Sequence, residues 1–154
     1  MRKPGYTFIE LVVVTALLAL LATFTIPTFQ LLLSQFELTT SVGQVGDLLR
    51  LSEQRTVSEQ KVYYVSLVTG GQTLTQYLQT TPSDQSVGTL VLPSAIVVES
   101  LTFGTAQSLY SVKFTTAGAP QVSGTVVLHD TVRDRRRTVV VTPSGAINTS
   151  GPEY

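Results

Sequence analysis

Hydrophobic positions follow two different periods along this chain. From Leu11 to Ile26 there is no charge, and Thr15, Thr23 and Thr25 are the only polar residues. The apolar run extends to Phe29, about the roughly 20 residues a helix needs to span a bilayer. Beyond it Leu38, Val42, Val45 and Leu49 recur at spacings of 4, 3 and 4, the period of an amphipathic helix. Leu31, Phe36, Leu48 and Leu51 widen that stripe, and Gln44, Asp47, Arg50, Glu53 and Gln54 take the other side. The pattern predicts one helix from Thr7 to about Ser58. Pro27 removes a backbone donor and should kink it. Gly43 and Gly46 each weaken the helix by about 1 kcal/mol relative to Ala, marking a close approach or a flexible point. An apolar stripe on a lone helix must be covered, so a sheet should pack on it.

After Ser58 the period falls to two. Val62–Val68 and Thr73–Leu78 alternate about the Gly70-Gly71 turn and predict a hairpin. Residues 80–87, with Pro82 and Asp84, read as a loop. Short strands are expected at 89–92, 95–102 and 110–114. Residues 124–129 and 138–142 form a second hairpin with the charged stretch Asp130–Arg137 between them, and a turn at 143–147 leads into a last short strand. The fold class is α+β, a long N-terminal helix packed on an antiparallel sheet domain. About 120 residues follow the apolar segment, enough for one modest core.

Composition narrows the chemistry. Ten Lys and Arg balance ten Asp and Glu, so no global field draws the chain to nucleic acid. Without cysteine there is neither a disulfide framework nor a thiolate metal site. The single histidine, His129, is followed by Asp130; on a strand neighbouring side chains point to opposite faces, so the two make no catalytic pair. Asp84, Glu99 and Asp130 do not follow a calcium-loop spacing. No catalytic residue, metal ligand or cofactor is expected, and the tyrosines at 63, 64, 77 and 110 read as core or sheet-surface residues.

The start of the chain departs from these neutral readings. Arg2 and Lys3 precede Gly5-Tyr6-Thr7-Phe8-Ile9-Glu10-Leu11. A carboxylate in hydrocarbon costs roughly 3 kcal/mol on insertion scales, so Glu10 needs a partner or a route to the interface. A secretory signal peptide fits poorly, because the apolar region is overlong and Leu20-Leu21-Ala22 makes a weak cleavage site. A plain anchor with its basic end in the cytoplasm is a second reading. In the third, Gly5 to Leu11 resembles the recognition motif of type IV prepilins. That resemblance implies cleavage between Gly5 and Tyr6 by a prepilin peptidase, which then methylates the new N-terminal Tyr6; the family usually has Phe there. It implies that Glu10 is the assembly carboxylate, pairing with an exposed α-amine in a filament, and that Pro27 stands where many pilins bend. It gives four segments: leader 1–5, membrane or filament-core helix 6–29, amphipathic helix 30–58 and β-rich head 59–154. The subunit would cross the inner membrane once, with its N-terminus cytoplasmic and its head in the periplasm or at the cell surface. Its partners would be the peptidase, the membrane and other pilin or pseudopilin subunits.

A second resemblance covers the head. The run Leu48 to Arg55 before a strand, Phe114-Thr115-Thr116-Ala117-Gly118, Gly124 to Leu128, and Arg137 to Val141 ending in Ser144-Gly145 are similar to the GspH/FimT group of minor pseudopilins. The missing cysteines agree with a minor subunit, since many major pilins carry a C-terminal disulfide loop. The group implies a place in a type II secretion pseudopilus or a type IV pilus. One branch binds DNA through basic residues near a C-terminal glycine, but Gly145-Ala146-Ile147-Asn148 has none. Arg133, Arg135, Arg136 and Arg137 remain as candidates for phosphate contact. Asp130 and Asp134 offset them and no aromatic residue interleaves to stack bases. A solvated turn is therefore the plainer reading, and a salt bridge to a neighbouring subunit is a third use.

Overall fold

A computed structural model describes the backbone of residues 7–103 and 109–150, with the side chains of 24–35, 109 and 110 outside the description. The chain divides into two compact units, Met1–Phe36 and Glu37–Tyr154. Helix α1, Phe8–Glu59, contributes to both.

In the first unit α1 is apolar on every described side. Phe8, Ile9, Leu11, Leu17, Leu18 and Leu21 are all more than half exposed. The two described threonines of this run satisfy themselves: the Thr15 hydroxyl donates to the Leu11 and Val12 carbonyls and that of Thr23 to Ala19. Such back-bonding lets a polar residue sit in an apolar helix without a partner. Among the described residues no helix is long and apolar enough to cross a membrane. The span expected at 6–29 and the kink expected at Pro27 both run into the side chains outside the description.

The second unit holds eight strands in two antiparallel sheets. One has the order β3-β2-β1-β5, from Gln85–Val91, Thr73–Leu78, Tyr63–Val68 and Leu109–Lys113. The other has the order β4-β6-β7-β8, from Ile96–Leu101, Gly124–Asp130, Arg135–Val141 and Ile147–Thr149. One core joins helix and sheets. Leu38, Val42, Val45 and Leu49 of α1 meet Val65, Leu67, Leu74 and Val112 of the first sheet and Ile96, Val98, Leu128 and Val139 of the second. The expected stripe is the buried one, because only its 3.6-residue period faces the sheets.

Beside that core runs a polar seam. Ser52 and Thr56 are buried and donate to the carbonyls of Leu48 and Ser52. Gln76 of β2 donates to the Ser52 hydroxyl at 2.7 Å and accepts from Arg55. The Tyr63 amide donates to the Thr56 hydroxyl. Every member is satisfied, so the seam fixes the register of α1 on the sheet rather than weakening it.

Four expectations need correction. Phe36 and Leu51 do not widen the buried stripe; they are 67% and 40% exposed. Residues 85–87 are strand rather than loop, since β3 pairs with β2 through a bulge. Of the two helix glycines only Gly46 marks a close approach: a Cβ there would meet Arg50 at 3.3 Å and Thr149 of β8 at 3.7 Å, whereas Gly43 faces open space. Half of the charged stretch is strand, with Asp130 ending β6 and Arg135–Arg137 opening β7.

Candidate functional site

Three places bear on function: the start of α1, the charged hairpin and the last turn of the chain. At the first, Thr7 is the cap of α1. Its hydroxyl accepts the Glu10 amide at 3.3 Å, and its carbonyl accepts the amides of Glu10 and Leu11. Thr7-Phe8-Ile9-Glu10 thus has the spacing of a capping box, with an acid three residues after the cap. A carboxylate in the first turn also gains from the helix dipole. Glu10 is exposed and has a local reason to be there, in addition to the role its motif implies. The sequence reading overlooked Thr7, although the Thr-x-x-Glu spacing was visible. Gly5 and Tyr6 lie outside the described residues.

At the hairpin, strand alternation separates the four arginines. Arg136 pairs with His129 across the ladder, while Arg135 and Arg137 pair with Asp130 and Leu128, so Arg136 points to the opposite face from its neighbours. Its guanidinium is held by both oxygens of Glu99, at 2.8 and 3.0 Å, and by Asp134 at 2.9 Å. These partners raise its affinity for its proton. His129 Nε2 lies 2.9 Å from Asp134, and this bond, with Arg136, holds the Asp134 carboxyl below the usual carboxylate range. Asp130 is buried and accepts the amides of Val132 and Arg133, closing the turn. Arg133 lies in that turn, so the structure does not gather the four guanidiniums into one projecting cluster.

At the last turn, Arg50, Glu53, Gln54, Ser144 and Ile147 help line an open groove of about 740 Å³. The Arg50 guanidinium donates to the Ile147 carbonyl at 2.8 Å and to Asp47 at 2.9 Å. Burial pushes the Glu53 carboxyl up, against the pull of Arg50. Two turns of matching geometry meet here. In Thr115–Ala119 and in Thr142–Ala146 the Thr amide and hydroxyl both donate to the Ala carbonyl, and the Gly amide donates back to the Thr carbonyl. Gly118 and Gly145 both have φ of +89°. Glu53 approaches both, within 3.5 Å of the points where their Cβ atoms would lie. Among the described residues no cluster of His, Asp or Glu could hold a metal ion.

No family model and no curated protein matches the sequence. Solved structures do match it in fold. The minor pseudopilin EpsH from the type II secretion system of Vibrio cholerae aligns with a TM-score of 0.64 at 12% identity, over 77% of this chain and 96% of that one. A second EpsH structure gives 0.61 at 14%, over 74% and 96%. The type IV minor pilin FimU from Pseudomonas aeruginosa gives 0.61 at 13%, over 77% and 91%. The chain has a type IV pilin-like fold, with an N-terminal helix packed on antiparallel sheet.

Proposed function

We propose that the chain is a minor pseudopilin or pilin, a structural subunit rather than an enzyme, processed at its N-terminus and built into a filament. One conjunction carries this reading: the Gly5 to Leu11 motif opens the helix whose later turns form the core of a pilin-like head. A motif at one end and a fold at the other agree without sharing residues. The apolar surface of the first unit supports it too, since so many exposed large side chains call for lipid or neighbouring helices. In this reading the prepilin peptidase cuts between Gly5 and Tyr6 and methylates Tyr6. The segment 6–29 holds the subunit in the inner membrane until assembly, and Glu10 meets the freed amine of its own or a neighbouring subunit. Type II secretion is the first assignment, with a type IV pilus beside it.

DNA uptake is the weaker reading. Of the four candidate arginines, Arg136 is already held by Glu99 and Asp134 and faces away from Arg135 and Arg137, so the four offer no joint surface to phosphate. The processing test is direct. Replacing Gly5 with a bulkier residue should leave the membrane-extracted protein with an intact, unmethylated N-terminus, where the parent chain starts at methylated Tyr6 by mass spectrometry. A parent chain that still begins at Met1 in cells with an active prepilin peptidase would overturn the reading.

A further inference from the structure

Among the described residues of the head, most carboxylates have a donor. Asp47 takes Arg50, Glu59 takes Tyr63 and Asp84 takes Tyr64. Glu99 takes Arg136, while Asp130 and Asp134 are bonded within the hairpin. Glu37 is exposed to water. Glu53 is the exception. It is partly buried, and among the described residues no group donates to its carboxyl.

Its surroundings keep it unmet. The amides of the two glycines it approaches, Gly118 and Gly145, turn instead to the Thr115 and Thr142 carbonyls. A Cβ would touch Glu53 Oε1 at 3.5 Å on Gly118 and crowd it at 3.2 Å on Gly145, so both positions leave the carboxyl uncovered. Arg50 is spent on Asp47 and on the Ile147 carbonyl. It lends Glu53 its field but no bond. With Asp47 balancing Arg50, the groove of about 740 Å³ keeps one net negative charge, on Glu53. Val57, 41% exposed, and Ala146 give the same groove an apolar wall.

We propose that this groove receives a basic side chain of a partner protein, an arginine or lysine whose cationic end meets the Glu53 carboxylate. Such a group supplies both things the carboxylate lacks, N–H donors and an opposite charge. Its methylenes lie along Val57 and Ala146, as long basic side chains cover apolar surface while the head stays polar. A divalent cation does not fit, because among the described residues no cluster of acids could hold one. Phosphate would be repelled by Glu53. A partly buried carboxylate without a donor costs stability, and proteins carry such costs where a site has work to do. The inference holds whether or not the partner is another filament subunit.

The test is a titration of the isotope-labelled full-length protein in non-ionic detergent, followed by NMR at constant ionic strength. The probe is the capped tripeptide acetyl-Ala-Arg-Ala-amide, which carries one guanidinium and no other charge. The Gly118, Gly145 and Ala146 amide signals should move and saturate, with a Kd on the order of 10 mM. Glu53→Gln should weaken that binding about tenfold or more. The same peptide with neutral citrulline in place of arginine should move none of the three signals. That arm decides the matter if the Glu53 variant disturbs the fold. Equal shifts from the citrulline peptide, or an unchanged affinity in Glu53→Gln, would overturn the proposal, since the contact would not then be with the carboxylate. So would the lack of a saturable shift by about 100 mM peptide, or shifts confined to the hairpin of Glu99 and Asp134.

Discussion

Among the described glycines, Gly145 has the least room for a side chain. At φ +89° an L side chain is strained, and a Cβ would stand 2.6 Å from the Gly118 carbonyl oxygen. Gly145→Ala should therefore cost about 1–3 kcal/mol, measured by denaturant unfolding. Glu53, beside it, is expected to show a pH signature. Its folded-state affinity for a proton is raised by burial, so its contribution favours folding below the ordinary glutamate range and is lost as pH rises through the folded value. Glu53→Gln should be more stable than the parent at pH 7 and lose that advantage near pH 3, in melts across that range. Asp134 works in the opposite sense. Its carboxyl is lowered, first by the His129 bond and then by Arg136, so its contribution is present at neutral pH and fades as pH falls. Neither effect was legible in the sequence, since Glu53 meets Gly118 and Gly145 only through tertiary packing.

Among the elements, α1 and its stripe were the most legible. Leu38, Val42, Val45 and Leu49 are nearly or wholly inaccessible, and their spacing alone identified them. Leu49→Ala should cost about 2–5 kcal/mol, seen as a lower midpoint with an unchanged slope in denaturant. Phe36 and Leu51 misled because hydrophobicity marks what can be buried, while helical phase decides what is. The strands were placed to within a few residues where Gly or Pro punctuated them. They failed at 85–87 and 135–137, where Gln, Ser and Arg occupy ladder positions chosen by pairing partners rather than by propensity. Arg136 shows this most clearly: in the sequence it belongs to a basic run, and in the sheet it belongs to Glu99 from a strand 37 positions away. The bulge in β4 between Val98 and Ser100 left no mark that a period of two could show.

At the scale of the molecule, the described core begins at Leu38 and lies entirely in the second unit. The head should therefore keep its fold without the first unit. A chain trimmed to residues 37–154 should stay in solution without detergent and melt cooperatively, and a non-cooperative melt would show that the earlier turns contribute stability. The candidate site divides along the same line. The Thr7-to-Glu10 cap of α1 was there to be read, because helix caps follow short linear patterns. The hold of Glu99 on Arg136 and the twin glycine turns were not, because each is assembled from segments far apart in sequence.

Those two turns have a consequence for how β8 is retained. A three-residue ribbon such as β8 is too short to stay put by its own ladder. Gly145 nested against the Gly118 carbonyl works as a latch, tying β8 to a loop that crosses between the two sheets. Loosening the latch at either glycine would release the terminal strand first and uncover the flank of α1 around Gly46, so damage at a surface loop would travel inward to the helix before the sheets themselves gave way.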